Sequence, residues 1–398
     1  MIDVVIVDLV SNYYTGIERY SEVLKSKSRH NIRVHHLIFQ TYKALPEVII
    51  KDDCFTAFFY LPRHIANVKR YKPLYLDLIV HLLSPWISSR QNIVWHMNHL
   101  DLPGVVQALQ DKLGGKYLLA LHCIPWKYSV SNNPERYKKL ELLYRNEQFD
   151  EFRKEENSGF DYNKPDKIIC MSESARCFLE KIHQADPSKI TKIYNGIDII
   201  PFRKKRDELT ILYAGRITKD KGIFDLLDAV SEVVRTTGYF PKIKFAGYCH
   251  ITKQTILSKY HHLDIAFFNE VDLGSLKKLY ASATFGVIPS LHEQCSYVGI
   301  EMAAFGLPMI VSDVDALSEM FEDRKTALFN QLVFDPDTGL HADKNIFVKN
   351  IVEMIENKEL RKKMSNNLRR LYHQKFTGIM CDLTFNLYED LASLNSSD

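Results

Sequence analysis

Short, densely apolar runs alternate along the chain with longer segments whose apolar residues recur every three or four positions. The runs Val4–Val7, Val34–Phe39, Ile93–Trp95, Tyr117–Leu121, Lys167–Met171 and Ile190–Tyr194 predict one series of strands. Thr210–Ala214, Lys242–Ala246, Ile265–Phe268, Thr284–Ile288 and Pro308–Val311 predict a second. Amphipathic stretches between them, such as Gly222–Arg235, Leu273–Ala281 and Gly299–Phe305, read as helices. Alternating strands and helices imply an α/β chain with parallel sheets covered by helices on both faces. Roughly a dozen strands fit two doubly wound sheets better than one closed barrel.

The break between the two series is visible in IYNGIDIIPFRKKRDEL (193–209), where Asn-Gly leads through Pro201 into a charged run before the strand TILYA. This places a linker at about 195–208, a first domain over 1–195 and a second over 209–376. The last stretch, 377–398, reads as an amphipathic helix after two polar ones at 343–357 and 359–374.

Composition narrows the class. Of 398 residues, 46% are hydrophobic and 25% charged, which excludes disordered, collagenous and coiled-coil chains. Seven cysteines without a C-x-x-C pair suggest neither a disulfide framework nor a zinc cluster, and fit a reducing cytoplasm. MIDVVIVDLV carries Asp3 and Asp8 inside its apolar run and lacks a basic leader, so it does not read as a signal peptide. LYLDLIVHLLSPWI (74–87) is too short, and too interrupted by Asp77, His81 and Pro85, to span a bilayer.

Charge is uneven although the net is only +3: residues 1–145 hold 19 Lys and Arg against 12 Asp and Glu. Two clusters, RHIANVKRYKP (63–73) and ERYKKLELLYR (135–145), carry much of the excess. A solvated helix face explains the second. The alternative is attraction of the first domain to anionic headgroups or an anionic acceptor, that is, peripheral contact with the inner face of a membrane. No motif points to nucleic acid.

Two segments concentrate candidate chemistry. In LTILYAGRITKDKGIFDLLDAV (209–230) a strand ends at Gly215, and Arg216 and Lys221 occupy the turn before a helix N-terminus, where open α/β sheets bind anions. A diphosphate suits this pair, Arg offering a fork and Lys a compact charge. Lys219 and Asp220 read as solvent-facing. In PSLHEQCSYVGIEMAAFGLPMIVSD (289–313) Glu293 precedes Glu301 by eight positions. A helix starting near Tyr297 would hold Glu301 in its first turns, leave Glu293 in the loop, and aim the backbone N–H groups of Gln294, Cys295, Ser296, Tyr297 and Val298 at an anion. Cys295 reads as a wall residue, without a neighbouring base to make it a nucleophile. His96 and His99 form an H-x-x-H pair without a third ligand, which suggests cleft lining or helix capping rather than metal.

RITKDKG, the paired glutamates with EMAAFGLPMIVSD, and KITKIYNGID together resemble the retaining glycosyltransferases of family 4, whose GT-B architecture sets two Rossmann-like doubly wound domains across a cleft. NYYTGIERY (12–20), LLALHCIPW (118–126) and KIICMSESARCFL (167–179) continue the resemblance in family order. It implies that Arg216 and Lys221 hold the diphosphate of a nucleotide sugar, a UDP-sugar, replacing any metal or other cofactor. It also implies that Glu301 binds ribose hydroxyls, Glu293 and His122 the donor sugar, and that the backbone at Gly16 approaches a phosphate or the acceptor. Retention would follow from attack on the face the diphosphate leaves, a phosphate oxygen taking the acceptor's proton. The acceptor would be a glycan, a lipid-linked glycan or a protein, and the C-terminal helix would cross back to the first domain. Three positions depart from the family: Gln294-Cys295-Ser296 replaces Gly-Phe-Gly after Glu293, Thr15 precedes Gly16 where paired glycines are frequent, and Cys123 stands where aspartate is common. A GT-B-fold UDP-sugar epimerase and a non-catalytic sugar- or lipid-binding module share the architecture. A nicotinamide dehydrogenase does not fit, because no strand leads into G-x-G-x-x-G.

Overall fold

The computed structural model describes residues 1–10, 16–27, 29–40, 47–60, 75, 77–87, 92–100, 103–157, 159–202, 209–269, 271–335 and 339–393. The cluster at 63–73, the residues before Gly16 in the first loop and the linker residues 203–208 lie outside them.

Strands β1 (Ile2–Val10), β2 (Ile32–Gln40), β3 (Glu47–Lys51), β4 (Cys54–Tyr60), β5 (Ile93–Met97), β6 (Lys116–Leu121), β7 (Lys167–Cys170) and β8 (Ile190–Lys192) form one sheet. Their order is β3-β4-β2-β1-β5-β6-β7-β8, parallel except for the β3–β4 hairpin. The central strand β1 pairs with β2 along its whole length and with β5 over Asp3–Val7. Val4, Val5, Ile6 and Val7 are fully buried, as a strand covered on both faces requires.

Strands β9 (Thr210–Ala214), β10 (Lys242–Ala246), β11 (Ile265–Phe268), β12 (Phe285–Ile288), β13 (Met309–Ser312) and β14 (Leu328–Asn330) form the second sheet, all parallel, in the order β11-β10-β9-β12-β13-β14. A small antiparallel ribbon of β15 (Leu332–Asp335) and β16 (Gly339–Ala342) follows. Sheet order reverses direction between β9 and β12, and in the first sheet between β1 and β5. At such a switch point the connecting helices diverge to opposite faces and leave a crevice above the strands' carboxyl ends.

Hairpin β3–β4 was not anticipated from the sequence. It turns through Asp52 and Asp53, with φ of 49° and 59°, and this two-residue loop with both residues left-handed matches the twist of the flanking strands. The helices Ile223–Thr237, Leu273–Ser282 and Tyr297–Phe305 lie where periodicity placed them. Helix Pro134–Arg145 buries Tyr137 and Leu140. Its cations are engaged by neighbouring groups: Arg136 donates to the carbonyls of Glu155 and Glu156, Lys139 pairs with Glu155, and Arg145 pairs with Glu141. Among the described residues no helix is long and apolar enough to cross a membrane.

The helix Ile379–Ser393 returns to the first sheet. Tyr388 is buried, and its hydroxyl meets His96 Nδ1 at 2.6 Å. Arg29 donates to Asn386 and pairs with Glu389. His96 therefore anchors this helix and neither lines the cleft nor caps a helix, which corrects the expectation for His96. The start of the return is tied to the linker: Ile197 N–H donates to Phe376 O at 2.8 Å, and a Cβ on Gly196 would fall 2.6 Å from Thr377 O.

Candidate active site

The loop leaving β9 and the loop leaving β12 flank the switch point of the second sheet. Two contacts stitch them together. Leu291 N–H donates to Asp220 O at 2.9 Å, and Gly222, at φ 65°, lies so near the β12 loop that a Cβ would stand 1.9 Å from Pro289 O. Only glycine satisfies both the left-handed backbone and that approach. Gly215, at φ 121°, lets the chain turn out of β9, while Tyr213 Oη donates to Arg216 O at 2.5 Å.

On this platform Lys221 Nζ donates to Glu293 Oε2 at 2.9 Å, each side chain being more than four-fifths buried. Arg216 lines an adjoining cavity of about 300 Å³ with Thr218, Lys219, Asp220, His250 and Ile251, and Tyr128 reaches in from the first lobe. Arg216 and the Lys221–Glu293 pair thus stand on the two stitched loops, with Asp220 4.0 Å from the Arg216 guanidinium and 3.8 Å from His292 Nε2.

Asp220 corrects its sequence reading as a solvent residue: its side chain is only 14% exposed. Burial works to raise its pKa, but the Thr218 hydrogen bond and the charges of Lys221, His292 and Arg216 hold it below the ordinary aspartate value. Lys219 is exposed, as expected. His292 is buried, packs edge-on against Tyr128 with ring centroids 4.9 Å apart, and its pKa is pushed down to about 4 by burial and by Lys221. Neither Tyr128 nor His292 was singled out from the sequence. The only local signal was the position of His292 immediately before Glu293.

The rest of the β12 loop is committed to contacts between the lobes. Ser172 Oγ donates to Gln294 Oε1 at 2.7 Å, and Asn195 binds Cys295 twice, its backbone N–H to Sγ at 3.1 Å and its side chain to the carbonyl at 2.8 Å. Cys295 is buried, and burial pushes its thiol pKa upward, consistent with a wall residue. Ser296 caps the following helix through the Gly299 N–H at 3.2 Å. Tyr297 and Val298 open that helix. Tyr297 packs towards Gly16, where an added Cβ would meet the ring at an ordinary 3.6 Å.

Glu301 is not at the Arg216 cavity. It is buried one turn along the helix, with Oε2 accepting from Tyr280 Oη at 2.7 Å and Oε1 3.8 Å from an Arg19 nitrogen of the first lobe. Burial raises its pKa, while Tyr280 and Arg19 oppose that rise. His122 follows β6 in the first lobe. Its Nε2 lies 3.0 Å from Asn98 Oδ1 and Tyr20 packs edge-on to it at 4.8 Å. Burial, with His99 and His96 nearby, drives its pKa to about 3, so the ring is neutral.

Residues 197–371 match the family Glycosyl transferases group 1. An uncharacterized glycosyltransferase of Methanocaldococcus jannaschii is 31% identical over 176 residues, 39% of this chain and 44% of that protein. Glycogen synthase of Mycobacterium tuberculosis is 29% identical over 174 residues, 41% of each. The chain thus spans less than half the length of these two curated relatives. Among solved structures, sucrose-phosphate synthase of Thermosynechococcus elongatus superposes with a TM-score of 0.75 at 17% identity, covering 99% of this chain and 100% of that one. HepE of Anabaena, in complex with UDP and glucose, superposes with 0.69 at 14% identity and the same coverage. At these identities the structural likeness is one of fold. Residues 197–371 thus resemble the Glycosyl transferases group 1 family, in a chain with the two-sheet fold of the GT-B glycosyltransferases.

Proposed function

We propose that the chain is a retaining family 4 glycosyltransferase that moves a sugar from a UDP-sugar to a glycan, lipid-linked or protein acceptor without a metal or other cofactor. The observation that carries this reading is that the stitched β9 and β12 loops at the switch point of the second sheet carry both the Lys221–Glu293 pair and the cavity that Arg216 lines. A diphosphate entering there meets the Arg216 fork and the Lys221 ammonium in a partly enclosed site, where charge pairing is stronger than in bulk water. Lys221 then exchanges Glu293 for a phosphate oxygen, and the released carboxylate accepts from hydroxyls of the donor sugar. Because both cations face charge that grows as the nucleoside diphosphate departs, they stabilise the transition state more than the bound donor.

Glu301 suits the ribose. Tyr280 fixes one oxygen, and Arg19, at 3.8 Å, is too far from the other to occupy it as a hydrogen-bond donor. His122 approaches the sugar from the first lobe, Tyr128 helps to exclude water, and a phosphate oxygen takes the acceptor's proton on the face from which the diphosphate leaves. The match to Glycosyl transferases group 1 favours transfer over the epimerase alternative.

The test is to incubate the chain with UDP-, GDP- and ADP-sugars and an acceptor mixture, reading nucleotide release and product anomer by NMR. UDP release with retained configuration is expected, and it should be lost in Lys221→Ala and Glu293→Ala. Isomerised UDP-sugar without acceptor, or full activity in both variants, would overturn the reading.

A further inference from the structure

The carboxyl end of β1 carries an aspartate that the proposed chemistry does not use. Asp8 is 1% exposed in an apolar strand, yet it stays ionised: burial opposes this, but His36, His99 and Ser21 outweigh it. We propose that Asp8 and Asn98 are positioning residues that hold His122 as the tautomer protonated on Nε2, leaving Nδ1 as a bare acceptor for a hydroxyl of the transferred sugar. The identity of that hydroxyl rests on the glycosyltransferase reading; the tautomer does not.

The assignment follows from which atoms are able to donate. A carboxylate only accepts, so Asn98 must present its amide nitrogen to Asp8 Oδ1, at 2.8 Å, and the same nitrogen faces Ser21 Oγ at 3.0 Å. Asn98 Oδ1 is thereby turned to His122 Nε2 at 3.0 Å, and an amide oxygen also only accepts, so Nε2 carries the hydrogen. A neutral imidazole has one ring proton, which leaves Nδ1 with a lone pair, and no hydrogen-bond partner of Nδ1 occurs among the described residues. The far side of Asp8 is fixed in the same way. Lys25 Nζ faces His36 Nδ1 at 3.1 Å and can only donate, so His36 donates from Nε2 to Asp8 Oδ2 at 2.6 Å. Every member of the chain points its proton towards the one buried carboxylate.

This polarity predicts the effect of Asp8→Asn, a change of almost no volume. Lys25 still obliges His36 to donate, so the new amide turns its oxygen to His36 and its nitrogen to Asn98. Asn98 must then flip, presenting nitrogen to His122, and the imidazole shifts its proton to Nδ1. The experiment is long-range proton–nitrogen NMR of the histidine-labelled chain, with His122 assigned by His122→Gln, beside kcat and UDP affinity for wild type and Asp8→Asn. We expect Nε2–H in wild type and Nδ1–H in Asp8→Asn. Asp8→Asn should lose on the order of 100-fold in kcat, the scale of one misdirected catalytic hydrogen bond, with UDP affinity unchanged. Nδ1–H in wild type overturns the proposal, even if the variant does not fold. Full kcat in a variant whose tautomer has switched overturns the role at the sugar. A wild type inactive with every nucleotide sugar overturns the transferase reading instead, and the spectrum still decides the tautomer.

Discussion

At the scale of single residues, the site depends on charges that satisfy one another before any ligand arrives. Both members of the Lys221–Glu293 pair are more than four-fifths buried, so Lys221→Ala strands the Glu293 carboxylate and should lower the thermal midpoint. Lys221→Gln, which still donates a hydrogen bond to Glu293, should lower it less while losing transfer at least about 100-fold; a proportionate loss of both in Lys221→Gln would make the lysine structural. Gly222→Ala should behave in the opposite way. Its left-handed backbone and the approach of Pro289 O leave no room for a Cβ, so urea unfolding should show a loss of more than about 1 kcal/mol. Arg216, Lys221 and Glu293 were legible in the sequence because they follow strands within short, polar, glycine-bearing turns. Tyr128, Arg19 and Asn98 were not, because each meets its partner across a fold-level contact that leaves no local pattern.

At the scale of elements, apolar runs identified the strands buried on both faces, such as β1 and β9. They missed β3 and β4: β3 is almost wholly exposed at a sheet edge, and its pairing depends on the Asp52-Asp53 turn. Strand order is likewise absent from periodicity and follows only from how the crossovers pack. The C-terminal helix is held by a polar contact inside an apolar interface. Tyr388→Phe would strip His96 Nδ1 of its partner, and His96 Nε2 has no hydrogen bond among the described residues, so a loss of about 1–3 kcal/mol in denaturant titration is expected. The same histidine shapes acid stability. Burial pushes its pKa down to about 4, as it does for His292. Between about pH 6.5, where unfolded histidine titrates, and pH 4, the unfolded chain binds the extra protons, so stability falls as pH falls. Each of the two histidines contributes up to about 1.4 kcal/mol per pH unit in that window. Glu301, whose pKa burial raises, works in the opposite sense. Unfolding titrations from pH 7 to 4.5 should show this decline, and a flat profile would contradict neutral burial of the imidazoles.

At the scale of the whole molecule, the lobes meet through polar contacts at the cleft and an apolar seam at the return helix. Lys127 pairs with Asp315, and Glu319 accepts from the Glu173 N–H at 2.8 Å and from Tyr194 Oη at 3.2 Å, with Lys192 Nζ 3.5 Å away. Lys127, Lys192 and Glu319 keep about a fifth to a quarter of their side-chain surface exposed. Glu319→Ala should loosen this contact and enlarge the radius of gyration seen by small-angle scattering, with the circular-dichroism spectrum unchanged; an unaltered radius would assign the lobe spacing to the apolar seam alone.

The central claim is that a nucleoside diphosphate sugar seats on Arg216 and Lys221 beside Glu293. The most direct measurement is the thermal midpoint of wild type and Arg216→Ala across increasing UDP-, GDP- and ADP-sugar concentrations. A ligand at about 100 times its Kd adds roughly 2.7 kcal/mol to the folded state. The account predicts a concentration-dependent rise with the UDP-sugar in wild type and its loss in Arg216→Ala. No rise with any of the three, or an equal rise in the variant, would contradict it.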